Sequence, residues 1–216
     1  MKAATAPAIV PPTISDADFL KFREFFYRKT GIHFEESKRY FVDKRLIERI
    51  EATGADSFRA YFIALRFEAD GRELQQLVNL MTVNETYFFR ESYQFDCLVN
   101  DMLDEVARRK RKGSRIRIWS IPSSTGEEPY SIAMVIAETL GASAPAKIFS
   151  TDIDTNVLAQ AQRGVYEVGA RGLSQQRLRQ HFLRGTGANA GFMRVKPELQ
   201  RMIEFAPFNL IANSWN

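Results

Sequence analysis

Apolar residues recur every three or four positions through most of the first eighty residues, which is the period of a helix with one buried face. Phe19, Phe22 and Phe26 form such a row after Ser15, and the acid three residues beyond Ser15 is typical of a helix N-terminus. Gly31 predicts the end of this helix, because glycine readily adopts the positive φ of a helix C-cap.

The same period predicts three more helices, at about residues 37–52, 57–65 and 72–81. Four short helices with apolar faces predict a small bundle over residues 15–83. The residues before it are rich in alanine, proline and threonine, so residues 1–14 are expected to be a disordered arm.

The pattern changes in the second part of the chain. A helix is predicted from Ser92 by a row at helical spacing, formed by Phe95, Leu98, Val99, Met102, Leu103 and Val106. Ile116 to Ile121 alternate like a strand, an apolar helix follows, and Ile148 to Thr151 read as a second strand. A strand, a helix and a strand in succession indicate an α/β domain with a parallel sheet.

The last sixty residues predict a helix, a hairpin and another strand. Thr155 is expected to cap the helix after the second strand, and the glycine-rich run Arg184–Val195 predicts a hairpin. The strand at 202–205 is expected to belong with that hairpin.

Composition narrows the class of protein. With 45% hydrophobic and 26% charged residues the composition is ordinary for a soluble protein that buries a hydrophobic core. No apolar run is long enough to span a bilayer. The single cysteine excludes an internal disulfide and, with two histidines, offers no metal site. We expect a cytoplasmic monomer without metal or direct membrane insertion, and its net charge of +4 favours an acidic partner.

The run Ser124–Ser131 joins the first strand to the next helix and carries the candidate chemistry. Its small residues suit a nucleotide-like ligand, but two glutamates at the helix start disfavour a phosphate. They favour a ligand with a cation and hydroxyls, such as S-adenosylmethionine. Asp152, at the end of the second strand, stands where such folds bind ribose hydroxyls. The missing G-x-G-x-x-G spacing disfavours a dehydrogenase.

Four motifs closely resemble the chemotaxis receptor methyltransferases, the CheR family. Ser124–Ser131 resembles the family's cofactor loop, and Asn84–Arg90 resembles its Asn-x-Thr-x-Phe-Phe-Arg pattern. Asp152–Asp154 and the pair Asn209–Leu210 match two further family positions. The resemblance implies a helical receptor-docking domain over 15–83 and a Rossmann-like methyltransferase domain over 84–216, with an inserted antiparallel β subdomain at 184–206.

The resemblance also implies the activity: methyl transfer from S-adenosylmethionine to glutamate side chains of chemoreceptors, leaving S-adenosylhomocysteine. A glutamate is ionised at neutral pH, with a pKa of about 4.3, so it needs placement more than a general base. Arg90 is the predicted catalytic residue, because a guanidinium can grip a carboxylate as a planar fork. The implied cofactor-binding residues are Asn84, Thr86, Arg90, Glu128, Asp152, Asn209 and Leu210.

Two surfaces are implied for the partner. A basic helix faces the acidic helical bundle of the chemoreceptor, and its residues here are Lys38, Arg39, Lys44, Arg45 and Arg49. The alternative is an ordinary solvated face. The edge of the β subdomain accepts a receptor's C-terminal peptide in some relatives, and the alternative is a plain surface hairpin.

Other interpretations stay open at this point. The run Arg108–Lys112 suits a helix C-terminus, and without interleaved aromatic residues it is weak support for a nucleic-acid patch. A nucleic-acid methyltransferase is favoured only by the basic charge, so no nucleic-acid partner is expected. A non-catalytic relative that binds a receptor or a signalling partner is the other alternative.

The sequence departs from the family at two places. Ile121–Ser123 stands where relatives have alanine, glycine or cysteine, and Pro122 lacks an amide donor. Relatives also continue beyond the Asn209–Leu210 pair with further strands. We therefore expect an incomplete catalytic domain whose C-terminal strands are missing, with weak cofactor binding and poor activity.

Overall fold

The computed structural model describes residues 13–109, 111 and 113–212. It divides into two compact units, one reaching from the N-terminal side to Thr82 and including Leu210 onward, the other spanning Val83–Asn209. Most of the predicted arm, residues 1–12, lies outside the described residues, as do Lys110 and Lys112 of the basic run.

The first unit contains the four predicted helices: α1 (Asp16–Thr30), α2 (Arg39–Thr53), α3 (Phe58–Phe67) and α4 (Arg72–Met81). The hydroxyl of Ser15 accepts a hydrogen bond from the amide of Asp18, and Gly31 ends α1 with a φ of 75°. A single turn of 3₁₀ helix, Glu36–Lys38, precedes α2. The helices bury one apolar row each, whose largest members include Phe22, Phe26, Leu46, Tyr61 and Leu77.

The second unit begins with a helical stretch of three parts: α5 (Ser92–Cys97), a π-helical segment (Leu98–Leu103) and α6 (Asp104–Arg109). The π turn holds more residues than an α turn, so it shifts the phase of the apolar row. Leu103 is buried, whereas Met102 and Val106 are 50% and 41% exposed, so the predicted row was wrong at those two positions.

A parallel sheet forms the centre of this unit. Its strands are β1 (Ile116–Ser120), β2 (Ala146–Asp152) and β6 (Ile203–Pro207), in the order β1-β2-β6. Helix α7 (Glu127–Leu140) follows β1, and α8 (Thr155–Arg163) follows β2. The inner face of α7 packs on a core that includes Phe88, Tyr130, Met134, Ile136, Ile148 and Ile203.

A small antiparallel sheet is inserted between β2 and β6. It is formed by β3 (Val165–Glu167), β4 (Phe182–Arg184) and β5 (Phe192–Val195), in the order β3-β5-β4. Helix α9 (Gln175–His181) precedes β4, and α10 (Pro197–Gln200) leads from β5 towards β6. The predicted α/β fold with a helical domain and an antiparallel subdomain is confirmed.

Two local predictions were wrong. The strand at 203–207 does not belong to the β subdomain predicted at 184–206, because it pairs in parallel with β2 and places Ile203 in the main core. The subdomain instead includes β3, upstream of the predicted range. Asp154, not Thr155, caps α8, since its carboxylate accepts the amides of the second and third residues beyond it.

Across the described ranges, none of the helices combines the length and apolar content that crossing a bilayer requires.

Candidate functional site

The loop between β1 and α7 is closed by hydrogen bonds to β2 and to itself. The amide of Ser123 donates to the carbonyl of Thr151 at 2.9 Å, and the amide of Ser124 donates to Oδ2 of Asp152 at 2.8 Å. The amide of Gly126 donates to the carbonyl of Ser123 at 3.0 Å. These three amides are thus engaged within the protein, which makes the loop a poor phosphate cradle.

Asp152 lies at the carboxyl end of β2 and is 4% exposed. Its Oδ2 accepts from Ser124, and its Oδ1 accepts the amide of Asp154 at 2.9 Å. A carboxylate offers about four acceptor positions, so two backbone bonds leave capacity for ligand hydroxyls. The assignment of Asp152 to the ribose stays a prediction.

The two glutamates at the start of α7 differ in environment. Glu128 is exposed, and its Oε1 accepts a hydrogen bond from the hydroxyl of Ser120 at 2.6 Å. Glu127 is half-buried and accepts from the hydroxyl of Thr125 at 2.6 Å. Burial raises the pKa of Glu127, and the hydrogen bond from Thr125 offsets part of that effect.

The carboxylates of Glu128 and Asp152 mark the carboxyl ends of two adjacent parallel strands. Ser120, which binds Glu128, is the last residue of β1 and pairs in register with Ser150 on β2. Open α/β sheets bind ligands in the crevice beyond the carboxyl ends of their strands. This edge of the sheet is therefore the candidate ligand site.

The segment 84–90 is attached to this edge at both of its ends. The side chain of Asn84 donates to Oδ2 of Asp154 at 2.7 Å, and its carbonyl accepts from the hydroxyl of Ser124 at 3.1 Å. Further along, the amide of Phe89 donates to the hydroxyl of Ser131 in α7 at 3.0 Å. Thr86 lies between these anchors and is half-buried.

Arg90 follows the second anchor directly. Its side chain is exposed, and its Nη1 donates to the carbonyl of Glu85 at 3.1 Å. The residues on either side, Phe89 and Glu91, have left-handed φ values of 54° and 57°. Non-glycine residues rarely adopt this region, and such strain often marks functional sites.

Asn209 reaches the same edge through its neighbour. The amide of Phe208 donates to the main-chain carbonyl of Asp152 at 2.9 Å, and its ring lies edge-on to Trp119 with centroids 5.4 Å apart. Leu210 is 56% exposed and groups with the helical unit. The structure thus brings Asn84, Glu128 and Asp152 to one sheet edge, with Asn209 directly after the residue that bonds to Asp152, while the roles of Asn209 and Leu210 stay predictions.

The donor set of this edge fits S-adenosylmethionine. The described loop offers carboxylates and engaged amides, and this chemistry favours an ammonium group and ribose hydroxyls over a phosphate. Among the residues with described positions, no group of three or more His, Cys, Asp or Glu side chains could hold a metal ion.

The predicted docking residues do not form one free basic stripe. Arg49 makes a two-bond ion pair with Glu73 of α4, at 2.9 and 2.6 Å, and both side chains are 18% exposed. Arg45 donates to the carbonyl of Leu80 at 2.5 Å and lies over the ring of Phe41.

Arg39 pairs with Asp16 and Asp43, both at 2.7 Å. Lys38 and Lys44 are exposed and remain the accessible cations of the predicted set. The three arginines therefore have partners within the helical unit, and their predicted receptor contact stays a prediction.

Several residues of the site were not identified from the sequence. Asp154 caps α8 and also accepts a hydrogen bond from Asn84, at the start of the segment that carries Arg90. Its place as the second acid of the Asp-Ile-Asp motif was the sequence signal that could have identified it. Ser124 has a φ of 47°, which no sequence feature indicates. The hydroxyl of Tyr166, on β3, donates to the carbonyl of Thr125 at 2.7 Å and so attaches the loop to the small sheet.

Comparisons with known proteins match both parts of the chain to one family. Residues 17–82 match the family described as CheR methyltransferase, all-alpha domain, and residues 84–216 match CheR methyltransferase, SAM binding domain. The chain is 46% identical over 201 residues to Chemotaxis protein methyltransferase 2 of Vibrio cholerae, covering 91% of this chain and 68% of the relative.

Two further relatives give similar values. The chain is 39% identical over 205 residues to the Chemotaxis protein methyltransferase of Escherichia coli, covering 94% of this chain and 69% of the relative. It is 43% identical over 202 residues to Chemotaxis protein methyltransferase 2 of Pseudomonas aeruginosa, covering 92% and 70% respectively.

Proposed function

The chain belongs to the CheR methyltransferase family, whose cofactor is S-adenosylmethionine, and we propose that it methylates glutamate side chains of a chemoreceptor's cytoplasmic domain. Such a reaction is a protein-glutamate O-methylation of the kind that serves adaptation in chemotaxis. A cytoplasmic location follows from this substrate and is part of the proposal.

One observation carries the proposal: the segment that ends at Arg90 is hydrogen-bonded to the loop that holds the two carboxylates. Asn84 contacts both Ser124 and Asp154, while Ser124 itself donates to Asp152. The start of the segment that carries the proposed substrate-binding arginine is therefore bonded directly to the proposed cofactor loop, and both lie in one unit.

The cofactor-binding roles follow from the charges at the sheet edge. When bound, S-adenosylmethionine supplies a methyl group on a positively charged sulfur. The exposed carboxylate of Glu128 suits a cationic or hydroxyl group of the ligand, and Asp152 suits the ribose hydroxyls. Asn84, Thr86, Arg90, Asn209 and Leu210 complete the proposed set.

Arg90 has the catalytic role in this proposal. A substrate glutamate is already ionised, so the arginine binds its carboxylate and aligns one oxygen for in-line attack on the methyl carbon. As the new C–O bond forms, the bond from the methyl carbon to the sulfur would break, so the carboxylate loses its negative charge and S-adenosylhomocysteine leaves with a neutral sulfur. A single solvent-exposed guanidinium suits this task, because a tighter grip would favour the charged ground state over the transition state.

Docking of the receptor rests on the basic helix of the first unit. Lys38 and Lys44 are the exposed cations that would meet the acidic helical bundle directly. Arg39 and Arg49 hold the helix through ion pairs with carboxylates that offset their charge. Arg45 bonds to a main-chain carbonyl instead, so its charge adds positive potential to the helix.

The β subdomain supports the second proposed contact. Strand β4 lies at an edge of the small sheet, and an extended peptide can add to such an edge through main-chain hydrogen bonds. A groove of about 270 Å³ is lined by residues of all three strands of this sheet and of the β4–β5 connection: Val165, Leu183, Arg184, Gly185, Asn189, Phe192, Met193 and Arg194. Its two arginines suit a peptide that carries an acidic group.

A label-transfer experiment tests the proposed function. The purified protein is incubated with S-adenosylmethionine labelled in its methyl group and with a receptor cytoplasmic fragment, the same fragment with its methylation-site glutamates changed to glutamine, or RNA. We expect base-labile label, typical of a methyl ester, in the glutamate fragment alone, and loss of that label in Glu128→Gln. Label in RNA would instead support a nucleic-acid methyltransferase, and receptor binding without label would support a non-catalytic relative.

A further inference from the structure

The ring of Phe89 is held between two groups of different chemistry. The guanidinium carbon of Arg177 lies 3.8 Å from the centroid of the Phe89 ring. The ring of Phe95 is tilted against the same ring, with the two centroids 5.1 Å apart. Phe89 precedes Arg90 in the chain, so a force on this ring acts one residue away from the proposed catalytic side chain.

Arg177 is itself fixed by a carboxylate on another helix. Its Nε and Nη2 donate to Glu138, near the C-terminal end of α7, at 3.1 and 2.9 Å. His181, one turn further along α9, contacts Oε1 of the same carboxylate at 2.9 Å, the oxygen that Nε of Arg177 also bonds to. The planar guanidinium is thus oriented along one edge by Glu138 and covers an aromatic ring with its face.

The backbone under this contact is in an unfavourable conformation. Phe89 and Glu91 both have left-handed φ values, and such a conformation is unfavourable in a non-glycine residue. It persists only where the surroundings determine it. At Phe89 two contacts fix this conformation: the hydrogen bond from its amide to the hydroxyl of Ser131, and the guanidinium of Arg177 that lies over its ring.

We propose that Arg177, oriented by Glu138, is a positioning residue that keeps Phe89 in its left-handed conformation and thereby places Arg90 for methyl transfer. This inference rests on the proposed function of Arg90. An error of about 1 Å in the placement of a reacting group can lower a rate by about a hundredfold, so the contact matters to catalysis beyond its effect on stability.

Arg177 could also merely fasten α9 to α7, and the test must separate the two roles. Arg177→Met keeps much of the side-chain length but removes the planar charge and its bonds to Glu138. Arg177→Lys keeps the charge without the planar fork. Arg179→Met, on the same helix and exposed, is the matched control.

Three quantities are compared after thermal unfolding has established that each variant is folded: kcat on a receptor fragment, KM for S-adenosylmethionine, and the deuterium uptake of the peptide covering residues 84–91. We expect kcat to fall about 10- to 100-fold in Arg177→Met and less in Arg177→Lys. KM for S-adenosylmethionine should stay within about twofold of the wild-type value, and deuterium uptake should be faster. Arg179→Met should match the wild type in all three.

Wild-type kcat and uptake in Arg177→Met would overturn the inference. So would a loss of kcat that merely tracks the fraction of folded protein and is equal in the lysine and methionine variants. If the wild-type protein methylates no receptor fragment, the proposed function fails, and deuterium uptake alone decides: faster uptake in Arg177→Met supports the positioning contact, and unchanged uptake rejects it.

Discussion

The main-chain amide of Ser124 donates to Oδ2 of Asp152, so the carboxylate that ends one strand fixes the loop that follows its neighbour. The other oxygen of Asp152 holds the turn into α8, and its carbonyl accepts from Phe208. Asp152 therefore organises three chain segments before it meets any ligand.

Replacing this carboxylate should affect both stability and ligand binding. Asp152→Ala leaves two backbone amides without their acceptor, and an unsatisfied buried donor costs about 1–3 kcal/mol. We expect a lower free energy of unfolding in urea and weaker binding of S-adenosylhomocysteine by calorimetry. Glu128→Gln is the matched comparison, since Glu128 is exposed and should lose affinity without losing stability. Equal stability of the two variants would contradict the organising role of Asp152.

Asn84 and Asp154 should be energetically coupled. Asp154→Ala removes the cap of α8, which costs about 0.5–2 kcal/mol, and also the acceptor for the side chain of Asn84. In a double-mutant cycle with Asn84→Ala, measured by urea unfolding, we expect a coupling energy of at least about 0.5 kcal/mol. Additive effects of the two substitutions would show that the contact contributes nothing.

Gly126 should tolerate no side chain. A Cβ there would lie 2.8 Å from that of Ala161 and 2.9 Å from the hydroxyl of Tyr166. Gly71, which precedes α4 as Gly126 precedes α7, has a similar left-handed backbone (φ 68°, ψ 12°) but open space around it. We expect Gly126→Ala to lower the free energy of unfolding by about 1–3 kcal/mol more than Gly71→Ala. The same comparison by calorimetry should show weaker cofactor binding in Gly126→Ala only.

The pH dependence of stability should change when Glu127 is neutralised. Burial raises its pKa in the folded state above the ordinary value of 4.5, so folding favours the protonated form. Wild-type stability relative to Glu127→Gln should therefore be greatest below the unfolded pKa of about 4.5 and fall as pH rises through the folded pKa. Urea unfolding of both proteins from pH 4 to pH 8 measures this difference. A difference that stays constant across that range would contradict a raised pKa of Glu127 in the folded protein.

Two substitutions in the basic helix should affect different properties, one receptor docking and the other stability. Lys44→Glu places a negative charge on an exposed position, so we expect a lower kcat/KM on the receptor fragment, most clearly at low salt, with unchanged cofactor affinity and stability. Arg49→Met should instead destabilise the bundle by about 1–3 kcal/mol, because Glu73 would lose its charged partner. Unchanged kinetics in Lys44→Glu at all salt concentrations would remove this helix from the docking surface.

The sequence predicted those features that depend on local periodicity. The apolar rows located all four helices of the first unit, and the alternation around Ile118 located β1. Periodicity does not report which strands pair, so the strand at Ile203 was placed with the nearby hairpin when its partner is β2.

In the candidate site, too, features with a local sequence signal could be predicted, and features set by contacts between distant residues could not. The acids Glu128 and Asp152 were identifiable because charge at a strand end is a local signal. The partners of the arginines were not, since Glu73 lies 24 residues from Arg49 and 12 from Tyr61, with which it also bonds. The left-handed backbone at Phe89 arises from contacts with distant helices, and residue type alone does not encode it.

Because Asn84 binds both the loop residue Ser124 and the helix cap Asp154, the ligand-holding and substrate-gripping parts of the molecule share mechanical connections. A rearrangement of that loop that breaks the bond from Ser124 would remove one of the two attachments of Asn84. Under the proposed function, a loop that rearranged around the methyl donor would therefore act on the same segment that carries Arg90.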